Sequence, residues 1–376
     1  MENKLDKNIV VKREYQVWLK YTQGFAELTI TGRMRAIKLY EECTGNEDFS
    51  KYNSQKGIDF QEWLSDRKFN GKPISSNTIR TVLINLKKYF LWLGEQPGYK
   101  SKINKNSLEY LNPSRKESAI ANADHLKEFP SKEYICKLVN SIKGEDEISK
   151  RNRALISFTY LTGMRDSAII SLSLRCVKIK ELYIRQEPRL GVNTKFSKTN
   201  YPKIFKFDEA LLKYVTDWYG YLFDKGFKPD NPLFPRAKNV LSPNIYSFQE
   251  AVEVEPCFWK STTSIRQIFK NYEKEIGSDY YPPHSFRHSA IISALGLLQN
   301  GLDLKAISQN FGHKDVLLVL SVYGQLSPNE QLRQLNDMEN KKRIEKTDDP
   351  IFDEVHAFAE NIKRKIVNGK SAIYTG

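Results

Sequence analysis

The stretch Pro283-His284-Ser285-Phe286-Arg287-His288 decides the fold of the C-terminal half of the chain. Pro283 and the preceding Pro282 preset the backbone for the first turn of a helix, where unpaired N–H groups favour an anion. His284 and Arg287 are three residues apart, so both side chains lie on one face of that helix. A single anion can therefore meet both. Taken alone, Arg287 could equally form an interhelical salt bridge, and His284 could cap the helix.

Two other stretches end predicted helices with a glycine. Thr162-Gly163-Met164-Arg165-Asp166 follows an apolar helical pattern from Ile148 to Leu161. Phe311-Gly312-His313 ends a helix for which Asp303 is the expected cap and whose glycine is the expected left-handed residue. The pattern predicts that the histidine emerges at a helix terminus, rigidly held but accessible. A surface or core histidine is the alternative.

Tyr323 follows His313 after a segment, 316–322, that is almost continuously apolar. This segment predicts a buried helix with the tyrosine at its end. A phenol has a pKa of about 10 and is a poor nucleophile until cations stabilise its oxyanion. Tyr323 is therefore a candidate nucleophile if the basic side chains named above converge on it, and a core residue otherwise.

The composition predicts a polyanionic partner. Lys and Arg outnumber Asp and Glu by 59 to 45, which gives a formal charge of +14 and a pI near 9.3. Nucleic acid is the first expectation, with a merely solubilising basic surface as the alternative. No segment approaches the about 20 apolar residues of a membrane-spanning helix, so no membrane partner is expected.

The N-terminus and the cysteines predict a cytoplasmic protein. The N-terminal Met1-Glu2-Asn3-Lys4 is charged and lacks the apolar region of a signal peptide. The four cysteines are scattered, without a CxxC pair or a histidine at zinc-finger spacing, which fits free thiols in a reducing compartment.

The length of 376 residues predicts two domains. Helical patterns run from Glu14 to Phe25 and from Arg33 to Glu42, and Ser75 to Asn77 caps a stronger one. In that helix one face is apolar and the other basic; the apolar residues are Ile79, Val82, Leu83, Leu86, Phe90 and Leu93. This first, helical domain is placed at 1–112.

After Tyr99 the sequence is polar, and we place a linker at 113–130, a second domain at 131–340 and a helical tail at 341–376. The second domain begins helically. Alternating residues at 177–184 and apolar residues at 204–207 then predict a small antiparallel sheet, with helices beyond Glu209. The predicted fold class is therefore mainly α, with a small antiparallel β-sheet in the second domain.

Together, the Thr-Gly-x-Arg, His-x-x-Arg, Gly-His and Tyr motifs resemble the tyrosine recombinase (phage integrase) family, in order and from about Phe129 to Gln331. The resemblance implies a two-domain clamp on double-stranded DNA, a homotetramer on paired DNA sites, and no cofactor. It also implies roles for individual residues. Arg165 and Arg287 would bind the scissile phosphate, His284 and His313 would assist, and Tyr323 would form a phosphotyrosine.

The chemistry of the residues supports these roles. Guanidinium groups can grip the non-bridging oxygens of a phosphate in bidentate fashion while charge builds up during attack. Arg80, Lys87 and Lys88 on the basic helix face, and Lys195, are expected to contact DNA. Asp166, which departs from the family pattern, is expected either to orient Arg165 or a histidine or simply to start a helix.

Family members protonate the leaving 5′ oxygen with a lysine on a β-hairpin. Lys198 precedes Thr199-Asn200 and the apolar strand residues at the right separation, and is the predicted general acid. Lys195 is three residues earlier and competes with it. Either lysine could instead contact only the DNA backbone.

Three other functions remain open at this point. His284, His288 and His313 could ligate zinc in a hydrolase, although Ser285 stands where a HExxH site needs glutamate. A DNA-binding relative that has lost catalysis is the non-enzymatic alternative. A type IB topoisomerase would use the same chemistry, but the helical first domain favours a recombinase.

The apolar stripe between Ile351 and Ile373 is expected to dock on a neighbouring protomer or on its own domain.

Overall fold

The computed structural model describes residues 7–69, 71–113, 129–194, 198–238, 252–298 and 301–312, together with Leu332, Leu335 and Asn336. The chain divides into two compact units, Met1–Lys127 and Glu128–Gly376. The predicted linker, 113–130, is described only at its ends, so the domain limits stay predictions. Five predicted features lie outside the described residues: Lys195, His313, the apolar segment 316–322, Tyr323 and the tail 341–376.

The described part of the first unit is helical. Its α-helices are α1 (Lys7–Val17), α2 (Glu27–Thr44), α3 (Ser54–Asp66) and α4 (Ser76–Leu93). A π-helical turn, Trp18–Thr22, follows α1, and 3₁₀ turns lie at Phe49–Lys51 and Lys105–Leu111. Between α3 and α4, β1 (Lys68–Phe69) pairs antiparallel with β2 (Lys72–Pro73), in the register Lys68 to Pro73.

Helix α4 confirms the helix predicted after Ser75. The Ser75 hydroxyl accepts a hydrogen bond from the N–H of Thr78, which caps the first turn. All six residues of the predicted apolar face are buried. They share one core with a cluster of aromatic rings from other elements of the unit: Tyr15, Tyr40, Phe49, Tyr52 and Phe60. The aromatic residues of this half of the chain thus largely form its core.

Two predictions about the first unit were wrong in their limits. Helix α1 begins before the predicted start at Glu14, because Val11 and Tyr15 recur at a four-residue step and are both buried. Helix α2 begins at Glu27 rather than at the predicted Arg33. In the polar stretch after Tyr99, Leu108 and Leu111 are fully buried in the core of the first unit.

The second unit is arranged around one buried helix. Its described α-helices are α5 (Lys132–Ser141), α6 (Glu147–Thr162), α7 (Asp166–Ile169), α8 (Glu209–Asp224), α9 (Thr263–Glu275), α10 (Pro283–Leu295) and α11 (Gly301–Asn310). Every residue of α6 from Arg151 to Thr162 is buried, and this helix packs against α5, α8 and α10. The Ile148–Leu161 prediction is confirmed. A helix buried on all sides gives its C-terminal end a fixed position.

The small antiparallel sheet is also confirmed. Strands β3 (Val177–Lys178) and β4 (Tyr183–Ile184) pair in the register Val177 to Ile184. A third segment, residues 200–203, pairs antiparallel with the chain around β4 through two isolated bridges, Gln186 with Asn200 and Tyr183 with Lys203. It forms no continuous strand, and Pro202, which has no N–H to donate, lies between the two bridges. Among the described residues, no helix is long and apolar enough to cross a bilayer.

Glu273 on α9 is a buried carboxyl group near the start of α10. Its side chain accepts a hydrogen bond of 3.1 Å from the N–H of Tyr281, two residues before α10 begins. Burial raises the pKa of Glu273 to about 8. The folded chain therefore holds a proton at Glu273 at pH values where an unfolded chain has already released it.

We predict that the stability of the second unit falls as the pH rises from about 4.5 to about 8, because only the unfolded state loses the Glu273 proton in that window. Glu273→Gln keeps an acceptor for Tyr281 and cannot titrate. It should therefore raise the free energy of unfolding at alkaline pH by on the order of 1–3 kcal/mol, and by less at acidic pH. Urea unfolding followed across this pH range measures the difference.

The matched control is Glu275→Gln, two residues further along the same helix at an exposed position. It should leave the pH dependence of unfolding as in the unmodified chain. Parallel curves for the two variants at every pH would contradict the assignment of the proton to Glu273.

Candidate functional site

Arg287 on α10 joins two of the other sequence motifs. Its side chain is almost fully buried, at 4% exposure. Nη1 donates to the carbonyl oxygen of Gly163 at 2.6 Å, and Nη2 donates to the carbonyl oxygen of Phe311. The guanidinium carbon also lies 5.5 Å from the centre of the Phe311 ring. Three segments far apart in sequence therefore meet at one cation.

The close approach of these segments requires glycine at position 163. Gly163 ends α6 in the left-handed conformation, with φ +57°, which glycine adopts without strain. A Cβ atom added here would overlap the ring of Phe311 and would lie 3.2 Å from the Cβ of Ala290. The first motif thus needs glycine both for its turn and for the close approach of α10 and the end of α11.

Helix α11 carries the third motif as predicted, with one correction. Ile307 and Phe311 are buried, and Gly312 is left-handed with φ +67°. Asp303 was predicted to cap the helix; because α11 begins at Gly301, Asp303 instead lies within its first turn. An acidic residue in that position still interacts favourably with the helix dipole.

Arg165 lies directly before α7, which starts at Asp166. It is half-buried, and its extended backbone directs the chain from the end of α6 into α7. Asp166 forms an ion pair with Arg266 of α9, at 2.6 Å from Nη2 and 2.9 Å from Nε. Of the predicted roles for Asp166, the helix start is confirmed, and the carboxylate contact seen is with Arg266.

His284 is exposed in the first turn of α10, one turn before His288. Their rings meet edge to face, with centroids 4.7 Å apart, and His288 also stacks on Phe129 at 4.6 Å. Within the ranges that the structure describes, no three His, Cys, Asp or Glu side chains form a group that could hold a metal ion. The third histidine of the zinc hypothesis, His313, lies outside these ranges.

Lys198 is exposed just before the third segment of the sheet. That segment is held against the end of α11. The Nδ2 of Asn200 donates to the carbonyl oxygen of Asn310 at 2.7 Å, and the N–H of Lys203 donates to the Oδ1 of Asn310 at 2.7 Å. Lys198 is thus two residues from a contact with the helix that carries the Phe311-Gly312 motif.

The three basic residues predicted on α4 have different surroundings. Lys88 is exposed and Arg80 is half-buried. The Nζ of Lys87 donates to Glu109 at 2.8 Å and to the side-chain oxygen of Asn112 at 2.9 Å, within the first unit. Lys88 is therefore presented to solvent, whereas the ammonium group of Lys87 already has an acidic partner. Their contact with DNA stays a prediction.

Sequence reasoning missed the roles of Arg266 and Asn310. Arg266 lies on a basic amphipathic helix, where one more arginine gives no signal. Asn310 directly precedes the Phe311-Gly312 motif, and an asparagine near a helix end is ordinarily interpreted as a helix terminator. Only the approach of distant segments shows what these two side chains contact.

A family model described as "Phage integrase family" matches residues 130–330, just over half of the chain. Tyrosine recombinase XerC from Lactobacillus delbrueckii subsp. bulgaricus is 22% identical over 312 residues, 82% of this chain and 92% of that protein. Tyrosine recombinase XerD from Halalkalibacterium halodurans is 30% identical over 179 residues. That match covers 48% of this chain and about half, 51%, of the XerD sequence.

Two solved structures share the fold at low sequence identity. The Tn1549 transposon integrase in complex with transposon right end DNA has a TM-score of 0.58 at 14% identity, over 88% of this chain and 99% of that one. A lambda integrase dimer bound to a core site has a TM-score of 0.57 at 12% identity, over 90% and 99%. The mainly helical fold with its small antiparallel sheet is thus that of the integrases. Together with the matched family model, it shows that the chain belongs to the phage integrase family, the tyrosine recombinases.

Proposed function

We propose that this chain is a site-specific DNA recombinase that cleaves and rejoins DNA strands through a covalent 3′-phosphotyrosine formed by Tyr323. The observation that carries the proposal is the contact of the buried Arg287 guanidinium with the carbonyl groups of Gly163 and Phe311. It unites the segments that carry Arg165, His284 and Gly312, whose order along the chain matches the family.

Electrostatics explains why arginines would act here. When a phenolate attacks a phosphodiester, negative charge accumulates on the non-bridging oxygens of a five-coordinate phosphorus. A guanidinium has five N–H donors, so Arg287 can be oriented by two carbonyl groups and also take part in holding a phosphate. Burial strengthens its attraction for an anion because the local dielectric constant is low. Arg165 would grip the same phosphate, and His284 and His313 would assist.

Bond changes in the proposed reaction balance without a cofactor. The Tyr323 hydroxyl loses its proton to solvent or to a neutral histidine, and its oxygen forms a bond to phosphorus. The bond from phosphorus to the 5′ oxygen breaks, and a lysine ammonium gives its proton to that oxygen. Rejoining reverses these changes. Because the protein–DNA ester conserves the energy of the phosphodiester, rejoining requires no ATP. The cationic side chains would stabilise the charge on the phosphate and so take the place of a metal ion.

Double-stranded DNA is the proposed partner, with a tetramer of this chain on two paired sites. The related integrase structures include complexes with DNA, which supports the first part of this proposal. The apolar stripe between Ile351 and Ile373, outside the described residues, would supply an exchange contact between neighbouring protomers.

We predict that the unmodified chain forms a covalent adduct with a suicide DNA substrate that is nicked beside the cleavage site. The nick lets the short strand diffuse away after cleavage, which traps the phosphotyrosine. Tyr323→Phe removes the nucleophilic oxygen and should abolish the adduct, while noncovalent DNA binding is retained. A denaturing gel measures the adduct, and mobility shift measures binding.

Arg165→Ala should reduce the rate of adduct formation by about 10²–10³. Arg287→Ala should do the same, but it also removes the donors to Gly163 and Phe311, so its thermal unfolding is measured alongside. The control for tyrosine identity is Tyr201→Phe, which alters an exposed tyrosine on the third segment of the sheet. DNA binding without any adduct in the unmodified chain would support the noncatalytic alternative. Loss of the adduct on treatment with a chelator would contradict the metal-independent mechanism.

The choice between Lys198 and Lys195 can be tested with the leaving group. A DNA substrate with sulfur in place of the bridging 5′ oxygen releases a thiolate, which leaves without a proton because thiols are far more acidic than alcohols. We predict that Lys198→Ala cleaves the oxygen substrate slowly and the sulfur substrate at nearly the rate of the unmodified chain. Lys195→Ala should cleave both substrates at nearly the unmodified rate. The reverse pattern would assign the role to Lys195.

We predict that DNA affinity decreases steeply with salt, because each neutralised phosphate releases about 0.9 counterion from the duplex. If Lys88 contacts a phosphate, Lys88→Gln should reduce the slope of log K against log salt by about 1. Lys213→Gln, at an exposed lysine already paired with Asp217, is the matched control and should leave the slope unchanged. A flat salt response of the unmodified chain would contradict a phosphate-based interface.

A further inference from the structure

The C-terminal end of α11 is a junction between Arg287 and the segment that follows Lys198. The last carbonyl groups of a helix have no donor within the helix and must accept hydrogen bonds from elsewhere. The carbonyl oxygen of Phe311 accepts from Arg287. One residue earlier, the carbonyl oxygen of Asn310 accepts from the Nδ2 of Asn200. Two neighbouring carbonyl groups thus accept hydrogen bonds from Arg287 and from Asn200, two residues after Lys198.

The side chain of Asn310 strengthens this junction. Its Oδ1 accepts the N–H of Lys203, so Asn310 bonds the segment at two points, Asn200 and Lys203. Its Nδ2 is buried and has no hydrogen-bond partner among the residues that the structure describes. An apolar side chain would avoid the cost of burying that amide group but would remove the acceptor for Lys203. The contribution of the Asn310 side chain is therefore its Oδ1, which accepts the hydrogen bond from Lys203.

Residues 192 and 193, earlier in the chain, are also held by contacts within the second unit. The N–H of Asn193 donates to the Oγ of Ser171 at 2.8 Å, and Val192 is buried. Ser171 follows α7, and its hydroxyl donates to the carbonyl oxygens of Ser167 and Ala168 at 3.0 Å. Asn193 is thus held against the helix that follows Arg165, and residues 200–203 are held against the helix terminus beside Arg287.

We infer that Asn200 and Asn310 form a positioning clasp that fixes Lys198 relative to Arg287, so that the lysine ammonium meets the leaving 5′ oxygen of a phosphate held by the arginine. This inference rests on the proposed function and deepens it. Both asparagines are positioning residues, since they act through the segment 200–203 rather than on the DNA. A displacement of about 1 Å in a catalytic group lowers a rate by as much as about 10²-fold.

Asn310→Ala and Asn200→Ala, assayed with the paired oxygen and sulfur substrates, test the clasp. Each variant should cleave the oxygen substrate about 10- to 100-fold more slowly than the unmodified chain. Each should cleave the sulfur substrate at nearly the unmodified rate, because a thiolate leaves without the proton that a displaced Lys198 delivers poorly. A general loss of structure would slow both substrates alike.

Gln309→Ala is the matched control, since Gln309 is the exposed neighbour of Asn310 on the same helix turn. It should cleave both substrates at the unmodified rate. Thermal unfolding and noncovalent DNA affinity of all variants are measured alongside. If Asn310→Ala fails to fold, Asn200→Ala carries the test, because the backbone bridge from Asn200 to Gln186 does not involve its side chain.

Two results would overturn the clasp and leave the recombinase proposal intact: unmodified cleavage of the oxygen substrate by both asparagine variants, or an equal loss on both substrates. The failure of the proposed function looks different. In that case the unmodified chain forms no covalent adduct with either substrate, and no substitution changes the ratio of the two rates. The clasp is supported if the sulfur substrate restores nearly the unmodified cleavage rate to Lys198→Ala and to both asparagine variants.

Discussion

The guanidinium of Arg287 lies buried between the carbonyl groups of Gly163 and Phe311, and the organisation of the second unit depends on these contacts. Both acceptors lie at helix C-termini, where carbonyl groups lack internal partners and the helix dipole favours a cation. A buried charge is tolerated only when it is well hydrogen-bonded. The cation therefore holds the ends of α6 and α11 together against α10. If either end shifted, the buried guanidinium would lose a hydrogen bond, which would destabilise the unit.

Other features of the unit support the same constraint. The absence of a side chain at Gly163 allows Phe311 and Ala290 to approach the end of α6. Because α6 is buried on all sides, that end is held rigidly. The Asp166–Arg266 ion pair ties the start of α7 to α9, and Glu273 on α9 holds the chain just before α10. Arg165 and His284 thus both emerge from backbone that is fixed by side chains of α9.

The residues outside the family motifs show why sequence reasoning stops where it does. A helix start was one of the two roles expected for Asp166 and is confirmed, but its ion pair with Arg266 joins positions a hundred residues apart. No local pattern encodes that pairing. Lys87 belongs to the basic face predicted for α4, yet Glu109 lies within reach of its ammonium group. Asn310 bonds a segment that precedes it by over a hundred residues. Each partner is defined by proximity in space.

The sequence by itself determined the elements and the family. Apolar periodicity predicted α4 and α6, alternation predicted the small sheet, and the order of the Gly163, Arg287 and Gly312 motifs indicated the tyrosine recombinases, because these signals reside in neighbouring residues. The tertiary structure alone decided what each side chain bonds. Arg287 and Asn200 donate to backbone carbonyl groups, and since every residue carries a carbonyl group, the identity of the acceptor leaves no mark on the sequence.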